Sequence, residues 1–546
     1  MSDMYFYYGG YIHAPNSVAI RSIQKSFIMS PNQKCHLLRH NWTIEGKLIG
    51  DRTAGDVMQA VSLSNRYSAP TSVIRLSAWY GAQVSVANIV MTDGASLESV
   101  ERVRNALAVT TTTPPPPVEI LTRAGSILFD RAEELIAAEV QDSGWTLRQA
   151  QIALLPTAGG SFVHYAEQLL ARPEEEEFEE SSPVDSRNIV RREPWGVVAG
   201  ITPFNFSLAA ACWKIAPALA AGNTVVLKPS PHTPVTAGMV AEACREAGVP
   251  DGVINVVTGP ASELGAALTE HPDVAMIHFT GSAAVGKQIV AASSATLKKV
   301  VLELGGKSPF IVLEDANLES AARGALFANF FNNGQACMGG TRVLAHRSIH
   351  DALVERMVAL GQKLKVGDAM DYETNVGPLI SAAQVDRVER YVAIGKEQGA
   401  RCVLGGTRPD RLGFFFNPTI FDGVRNDMTI ARDEIFGPVM GVIPFDTDEE
   451  AIAIANDTVY GLAGAVWTRD ANRGRRFANR IEAGTVWIND YHLLNLRFPF
   501  GGYKQSGIGR EMGPWGLDEF FQIKHVHIGE PTGPEEKSYF GILSED

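Results

Sequence analysis

Between residues 195 and 313 short apolar runs alternate with amphipathic stretches. Residues 224–227, 254–257, 274–280, 299–304 and 310–313 have the length and content of buried strands. Residues 233–247, 262–270 and 283–292 read as the intervening helices, with Gly248 placed to stop the first and Ser262 to cap the second. Strands separated by helices at this spacing pair in parallel, which predicts an α/β fold with a doubly wound sheet. The alternation resumes after Thr341 and predicts a second α/β unit. Upstream, 118–154 carries Leu121, Ile127, Leu128, Ala132, Leu135 and Ile136 at helical spacing and predicts a helix. The first hundred residues, with an aromatic cluster at 5–8, have little periodicity, and the Thr/Pro run at 110–117 reads equally as a linker or a long surface loop. The most apolar long stretch, 196–227, is interrupted by Pro203, Asn205, Lys214 and Pro217. A membrane span needs ~20 nearly uninterrupted apolar residues, so this stretch is expected in the core.

At 546 residues the chain is too long for one domain of ~150 residues. Its net charge of −13 disfavours nucleic acid and anionic membrane as partners. Five cysteines, at 35, 212, 244, 337 and 402, cannot all pair, so free thiols in a reducing compartment are the simpler reading. The start, Met-Ser-Asp-Met-Tyr, lacks the basic patch and apolar run of a secretory signal, and a cytoplasmic location is expected. The acidic block 174–180 is expected to be a solvated surface run, with recognition of a basic partner as the other reading.

Five places in the chain carry chemistry. Phe-Thr-Gly-Ser-Ala-Ala-Val-Gly (279–286) is a strand ending in glycine with Ser282 at a helix start, where free N–H groups attract phosphate. It lacks the full GxGxxG spacing, so a plain strand-to-helix turn explains it as well. Lys228 ends an apolar strand, where ligands of open α/β sheets lie, although many such lysines are merely solvated. Glu303 follows an apolar strand and precedes two glycines; partial desolvation there suits a general base, while nearby backbone donors would satisfy a structural carboxylate. Cys337 stands between polar Asn332, Asn333, Gly334 and Gln335 and the glycines 339 and 340, a poor core and a good reactive turn. At neutral pH a thiol of ordinary pKa needs a base to activate it. Asn205 is an amide among aromatic neighbours and must find partners, one of which would be an oxyanion.

From about 120 to 528 the chain resembles the aldehyde dehydrogenase superfamily. The matching signatures occur in family order: Pro-Phe-Asn-Phe (203–206), Trp213-Lys214, Pro-Ala-Leu (217–219), Gly-Asn-Thr-Val-Val-Leu-Lys-Pro (222–229), Phe-Thr-Gly-Ser (279–282), Glu-Leu-Gly-Gly-Lys (303–307), Gly-Gln-Ala-Cys (334–337), Glu-Ile-Phe-Gly-Pro (434–438) and Pro-Phe-Gly-Gly (499–502). The resemblance implies oxidation of an aldehyde to the carboxylic acid with NAD or NADP. Cys337 would be the nucleophile, Asn205 and the Cys337 N–H the oxyanion donors, and Glu303 the base that activates water against the thioester. Glu303 also argues against the branch of the family in which CoA replaces water. Around the cofactor the resemblance puts Thr202, Pro203, Phe204, Lys228, Ser230, Gly281, Ser282, Gly286, Leu304, Glu434 and Phe436. It puts Phe206, Ala209, Ala210, Trp213 and Phe500 along the substrate tunnel. The two alanines stand where bulkier residues are common, which suggests a wider tunnel for branched or aromatic aldehydes. His492 and Arg497 would greet a polar or acidic tail or else be structural.

Many NAD-preferring relatives place a Glu three residues after the lysine, where this chain has Pro231. NADP is therefore left open beside a slightly preferred NAD; no metal is expected. The implied organisation is an N-terminal region and linker at 1–117, a cofactor domain at 118–176 and 195–302, and a catalytic domain at 303–517. An oligomerisation arm at 177–194 and 518–532 and a tail at 533–546 complete it, and the arm predicts a homodimer or homotetramer. Two other classes remain: a cofactor-independent cysteine esterase or thioesterase, which leaves the set at 228, 281 and 434 without purpose, and an idle binding protein, against which intact Cys337 and Glu303 argue.

Overall fold

The βα alternation expected after residue 195 is present, except that no helix separates strand 299–303 from 309–312 or 401–404 from 419–422. In a computed structural model the described residues are 47–48, 52–53, 89–91, 118–173, 175–180, 185–529 and 539. The aromatic cluster at 5–8, the Thr/Pro run, Cys35 and all of the 533–546 tail but Tyr539 lie outside them. The chain divides into the units Met1–Gln83 and Val84–Asp546. In the first, β1 (Lys47–Leu48) pairs antiparallel with β2 (Arg52–Thr53). All that follows concerns the second.

One seven-stranded sheet joins β3 (Ile89–Met91), β6 (Val197–Ile201), β7 (Thr224–Lys228), β8 (Ile254–Thr258), β9 (Val274–Thr280), β10 (Lys299–Glu303) and β18 (Gly507–Ile508) in the order β18-β10-β9-β6-β7-β8-β3. Every pairing is parallel except that of β18 with β10. Helices α4 (Ser207–Ala220), α5 (Val235–Ala247), α6 (Ala261–Glu270) and α7 (Ala283–Ser293) make the crossovers. Ala199, Val226, Ile277 and Leu302 of the sheet pack with Leu264, Leu268 and Ile289 of the helices. Parallel register aligns Ile201 with Lys228 and Glu303 with Thr280, so the functional segments leave the sheet along one carboxyl edge.

A second seven-stranded sheet contains β11 (Pro309–Val312), β12 (Arg342–His346), β13 (Arg401–Leu404), β14 (Thr419–Asp422), β15 (Val439–Phe445), β16 (Ala463–Trp467) and β17 (Thr485–Ile488), in the order β13-β14-β15-β12-β11-β16-β17. Only β13 with β14 is antiparallel. Its core gathers Phe310, Val343, Val442, Ala465 and Trp467.

A third sheet is antiparallel, in the order β19-β5-β4, from β4 (Glu175–Glu180), β5 (Ser186–Pro194) and β19 (Phe521–Gly529). The acidic block is therefore a strand, and a mostly exposed one, as expected of a solvated surface run. Its cationic partners belong to the chain itself, since Arg191, Arg192 and Arg187 of β5 pair with Glu175, Glu176 and Glu177.

Two local expectations change. The helix foreseen over 118–154 is three, α1 (Val118–Asp130), α2 (Ala132–Ser143) and α3 (Leu147–Leu170). Gly144 stops α2 at φ +83°, its N–H donating to the Val140 carbonyl, where a Cβ would stand 2.5 Å from the Pro378 carbonyl oxygen. Ser262 lies inside α6, whose N-cap is Pro260 without a side-chain cap bond. Ser282 does cap α7, accepting from the Val285 N–H.

Candidate active site

Cys337 sits just beyond α8 (Leu318–Phe330) and a short 3-10 turn, Phe331–Gly334. Asn332, Asn333 and Gly334 take φ of 49°, 58° and 76°, three successive left-handed residues of the types that tolerate them. Asn333 Nδ2 donates to the carbonyls of Gly144 (2.8 Å) and Pro378 (3.0 Å), and its Oδ1 accepts from Gly377 N–H (2.6 Å). Asn332 Nδ2 donates to the Asn205 carbonyl at 2.8 Å, and Gln335 Oε1 accepts from Ile380 N–H at 3.0 Å. The polar residues that mark the turn in sequence are thus its fastenings.

Asn205 lies between β6 and α4, and its Nδ2 donates to the Gln335 carbonyl at 2.7 Å, leaving its second N–H. Its own carbonyl accepts from Trp145 Nε1 at 2.6 Å. Cys337 keeps some surface, whereas Cys212 and Cys244 are buried. Burial of the sulfur, with the neighbouring Glu434 and Glu303 charges, holds the Cys337 thiol well above the ordinary thiol range. It therefore stays protonated at neutral pH until a base takes the proton.

Glu303 ends β10, and its carbonyl accepts from Gly281 N–H at 2.9 Å. Its carboxylate is buried, and neither oxygen has a hydrogen-bond partner among the described residues. Burial and the Glu511 charge push it well above the usual carboxylate range. Gly501 lets the chain pass close by, since a Cβ there would stand 2.7 Å from Glu303 Oε1. Glu511 is held the other way: against the pull of burial, Lys214 and His278 bring it down to about 2.

Glu434 accepts the Gly306 N–H at 3.2 Å with one oxygen, and burial pushes it up to about 7 despite that bond. Gly305 has no room for a Cβ against this carboxylate. Phe436, at φ +61°, meets Phe204 edge to face with ring centres 5.6 Å apart. From α9 (Ala382–Glu397), Gln384 donates to the Phe436 carbonyl (2.7 Å) and Arg387 to the Glu434 carbonyl (2.6 Å). Lys228 is buried, donates to the Pro229 carbonyl at 3.0 Å and is lowered by burial to about 8. Thr202 and Leu304 are buried at the same carboxyl edge, and Gly286 packs on Leu304. Ser230 Oγ accepts from His232 N–H at 3.2 Å, while Pro203 is partly exposed and Pro231 exposed.

Aromatic rings line up behind Asn205. Trp213 stacks with Phe206 (6.3 Å), Phe206 meets Trp145 (5.0 Å), Trp145 meets Phe331 (5.0 Å), and Phe331 meets His492 (4.8 Å). Phe500 is buried, its backbone paired with Glu511. Ala209 and Ala210 are 0% and 1% exposed, so they present no surface and their neighbours already fill the space beside them. Burial lowers His492 to about 3, and its Nε2 faces the Ala328 carbonyl at 3.1 Å. An uncharged ring cannot attract an acidic tail by charge, which leaves only exposed Arg497 for that role. Trp145, Gln384, Arg387, His278 and Glu511 escaped the sequence reading; each acts through a partner remote in sequence.

No cluster of three His, Cys, Asp or Glu among the described residues is placed to hold a metal ion, and no described helix is long and apolar enough to cross a membrane. The sequence pattern of the aldehyde dehydrogenase family matches residues 95–526. The betaine aldehyde dehydrogenase of Bacillus subtilis (strain 168) is 46% identical over 426 residues, 77% of this chain and 86% of that protein. That of Brucella anthropi is 45% identical over 413 residues, 75% of this chain and 84% of that one. Among solved structures, the NAD+ complex of an aldehyde dehydrogenase from Bacillus cereus superposes with a TM-score of 0.77 at 40% identity, covering 79% of this chain and 89% of that one. A Staphylococcus aureus betaine aldehyde dehydrogenase with NAD+ gives 0.76 at 37%, covering 80% and 88%. The chain belongs to the aldehyde dehydrogenase family and oxidises an aldehyde with a nicotinamide cofactor.

Proposed function

We propose that Cys337 is the nucleophile of this oxidation, Asn205 its oxyanion donor and Glu303 its general base. The observation that carries the reading is the 2.7 Å bond from Asn205 to the Gln335 carbonyl, which fixes the amide donor against the turn bearing the sulfur. Glu303, buried and within electrostatic reach of the thiol, is the base at hand to take its proton. The sulfur then bonds to the aldehyde carbon, and the second N–H of Asn205 with the Cys337 N–H receives the oxygen's charge. A bound nicotinamide would supply the hydride acceptor, and loss of hydride from the thiohemiacetal carbon leaves a thioester on Cys337. Glu303, having released the thiol proton to solvent, takes a proton from water, whose oxygen attacks the thioester carbon; the C–S bond breaks, and the acid leaves as the sulfur regains a proton from Glu303.

The residues present fit a nicotinamide dinucleotide. Glu434 has one oxygen tied to Gly306 and one left for a ribose hydroxyl, and the Ser282-capped start of α7 offers N–H groups to a pyrophosphate. Lys228 supplies a donor near the ribose, and Thr202, Pro203, Phe204, Ser230, Gly281, Gly286, Leu304 and Phe436 would line the remainder. NAD is the preferred cofactor, supported by the NAD+ complexes of the similar structures. Pro231 offers no carboxylate to repel a 2′-phosphate, so NADP is accepted as a poorer alternative.

The row of rings from Trp213 to His492 favours an aldehyde with an aromatic far end. A quaternary ammonium group also suits ring faces, and the relatives named betaine aldehyde dehydrogenase favour that second reading. The proposed domain limits are those expected from sequence, except that β3 and β18 join the sheet of the cofactor domain. The three-stranded sheet leaves the edges of β4 and β19 for a second copy, so a homo-oligomer in the cytoplasm is proposed. One panel tests the reading: aromatic, aliphatic and trimethylammonio aldehydes with NAD or NADP, followed by reduced cofactor. Cys337→Ser reacting as fast as the parent, or ester cleavage without reduced cofactor, would overturn it; a monomer at micromolar concentration in light scattering would overturn the oligomer.

A further inference from the structure

Asn332, 1% exposed, stands between Asn205 and the turn that bears Cys337. Its Nδ2 donates to the Asn205 carbonyl at 2.8 Å and to the Gln335 carbonyl at 3.3 Å. The Gln335 carbonyl is also the acceptor of Asn205 Nδ2, at 2.7 Å. These bonds close a ring: Asn205 reaches the turn through its side chain, and Asn332 reaches back to the main chain of Asn205. An amide nitrogen carries two hydrogens, so Asn332 uses both inside the ring and Asn205 uses one. Because an amide is planar, holding the main chain of Asn205 and its first N–H together fixes the direction of the second. Trp145 Nε1 holds the same Asn205 carbonyl at 2.6 Å, but from the segment after α2, and so does not tie it to the turn.

Two further observations set Asn332 apart from a simple fastening. Its Oδ1 is buried with no hydrogen-bond partner among the described residues, a state that costs stability. Turning the amide over would aim that oxygen at two carbonyl oxygens, so the side chain is kept for its donors. The backbone of the turn is held without them, since the Asn332 N–H donates to Gln149 Oε1 at 2.8 Å and Gln149 Nε2 donates to the Asn375 carbonyl at 2.8 Å. Its φ of 49° is one that glycine adopts without strain.

We propose that Asn332 is a positioning residue for the oxyanion donor: by tying the main chain of Asn205 to the Gln335 carbonyl, it aims the second N–H of Asn205 at the oxygen of the aldehyde bonded to Cys337. The proposal rests on Asn205 being that donor. Asn332 acts only through Asn205 and takes no part in the bonds that form and break.

The test is a double-mutant cycle, read as kcat with the best aldehyde of the panel. Asn332→Gly removes both donors and leaves the backbone bond to Gln149 and the left-handed turn in place. It is expected to lower kcat about tenfold, the effect of one lost hydrogen bond. In an Asn205→Ala background no amide remains to be aimed, and the same change is expected to cost less than about twofold. Equal losses in the two backgrounds, or no loss in the parent, overturn the role of Asn332, since a purely structural fault would slow both alike. An Asn205→Ala enzyme as fast as the parent overturns the oxyanion reading, and this role with it. Should Asn332→Gly fail to fold, Asn332→Asp goes through the same cycle with the same outcomes. Asp keeps the shape and tolerates the left-handed turn, but turns an acceptor toward both carbonyls.

Discussion

The side-chain amide of Asn205 and the backbone carbonyl of Gln335, 130 positions apart in the chain, are joined by a 2.7 Å hydrogen bond. It ties the segment before α4 to the turn that carries Cys337. Asn205→Ala removes both this tie and the amide donor, and is expected to lower kcat by about 10²–10³-fold. Steady-state rates with the best aldehyde of the panel check it.

Glu303→Gln is expected to slow the first burst of reduced cofactor, for want of the base that takes the Cys337 proton, and to stop later turnovers. The parent carboxylate is pushed above its ordinary range, so its basic form accumulates only as pH rises through that raised value. Thioester hydrolysis in the parent therefore quickens with rising pH, and the Gln variant shows no such rise. Quenched-flow measurement of acid against reduced cofactor separates the two steps.

Trp145 is fully buried, donates to the Asn205 carbonyl and touches Phe206 and Phe331. Trp145→Ala is expected to cost about 3–5 kcal/mol of stability. Trp145→Phe keeps most of the packing and loses the donor, so its deficit falls on kcat more than on the unfolding midpoint. Denaturant titration beside kinetics tells the two apart.

Glu139 is buried within α2, accepts the Leu208 N–H (3.2 Å) and the Thr236 hydroxyl (2.8 Å), and is raised by burial from 4.5 to about 7. An acid raised in the folded state contributes stability that is complete below its unfolded value and is lost as pH climbs through the folded one. Relative to Glu139→Gln, the parent is expected to lose stability between 4.5 and about 7. Unfolding midpoints of both proteins as a function of pH check the sign.

Ala209→Leu and Ala210→Leu are expected to destabilise the protein by about 1–3 kcal/mol each, because these positions have no free space beside them. A change in relative rates on short and bulky aldehydes without loss of stability would instead restore the idea of a widened tunnel. Thermal melts set beside the aldehyde panel decide between them.

The parallel strands were legible because each is a short apolar run bounded by turn residues, and Cys337, Glu303 and Asn205 because polar or glycine-rich segments flank them. Asn332, Asn333 and Gly334 were visible as a poor core, and their left-handed geometry supplies the reason. The break at Gly144 was hidden because apolar periodicity continues on both sides of it, while the stop depends on the approach of Pro378 from a distant loop. Glu511 and Gln384 were illegible for a related reason. Nothing in their own segments distinguishes them from surface polar residues, and only the packing of remote stretches brings them to the site.

Asn333 bonds at once to the end of α2, to its own turn's neighbour at 377 and to Pro378. One amide therefore rivets the strip that bears the sulfur to two otherwise independent parts of the chain. Amide protons around 332–337 should consequently exchange only when the whole protein opens, so that heat extinguishes turnover and structure together rather than the centre first.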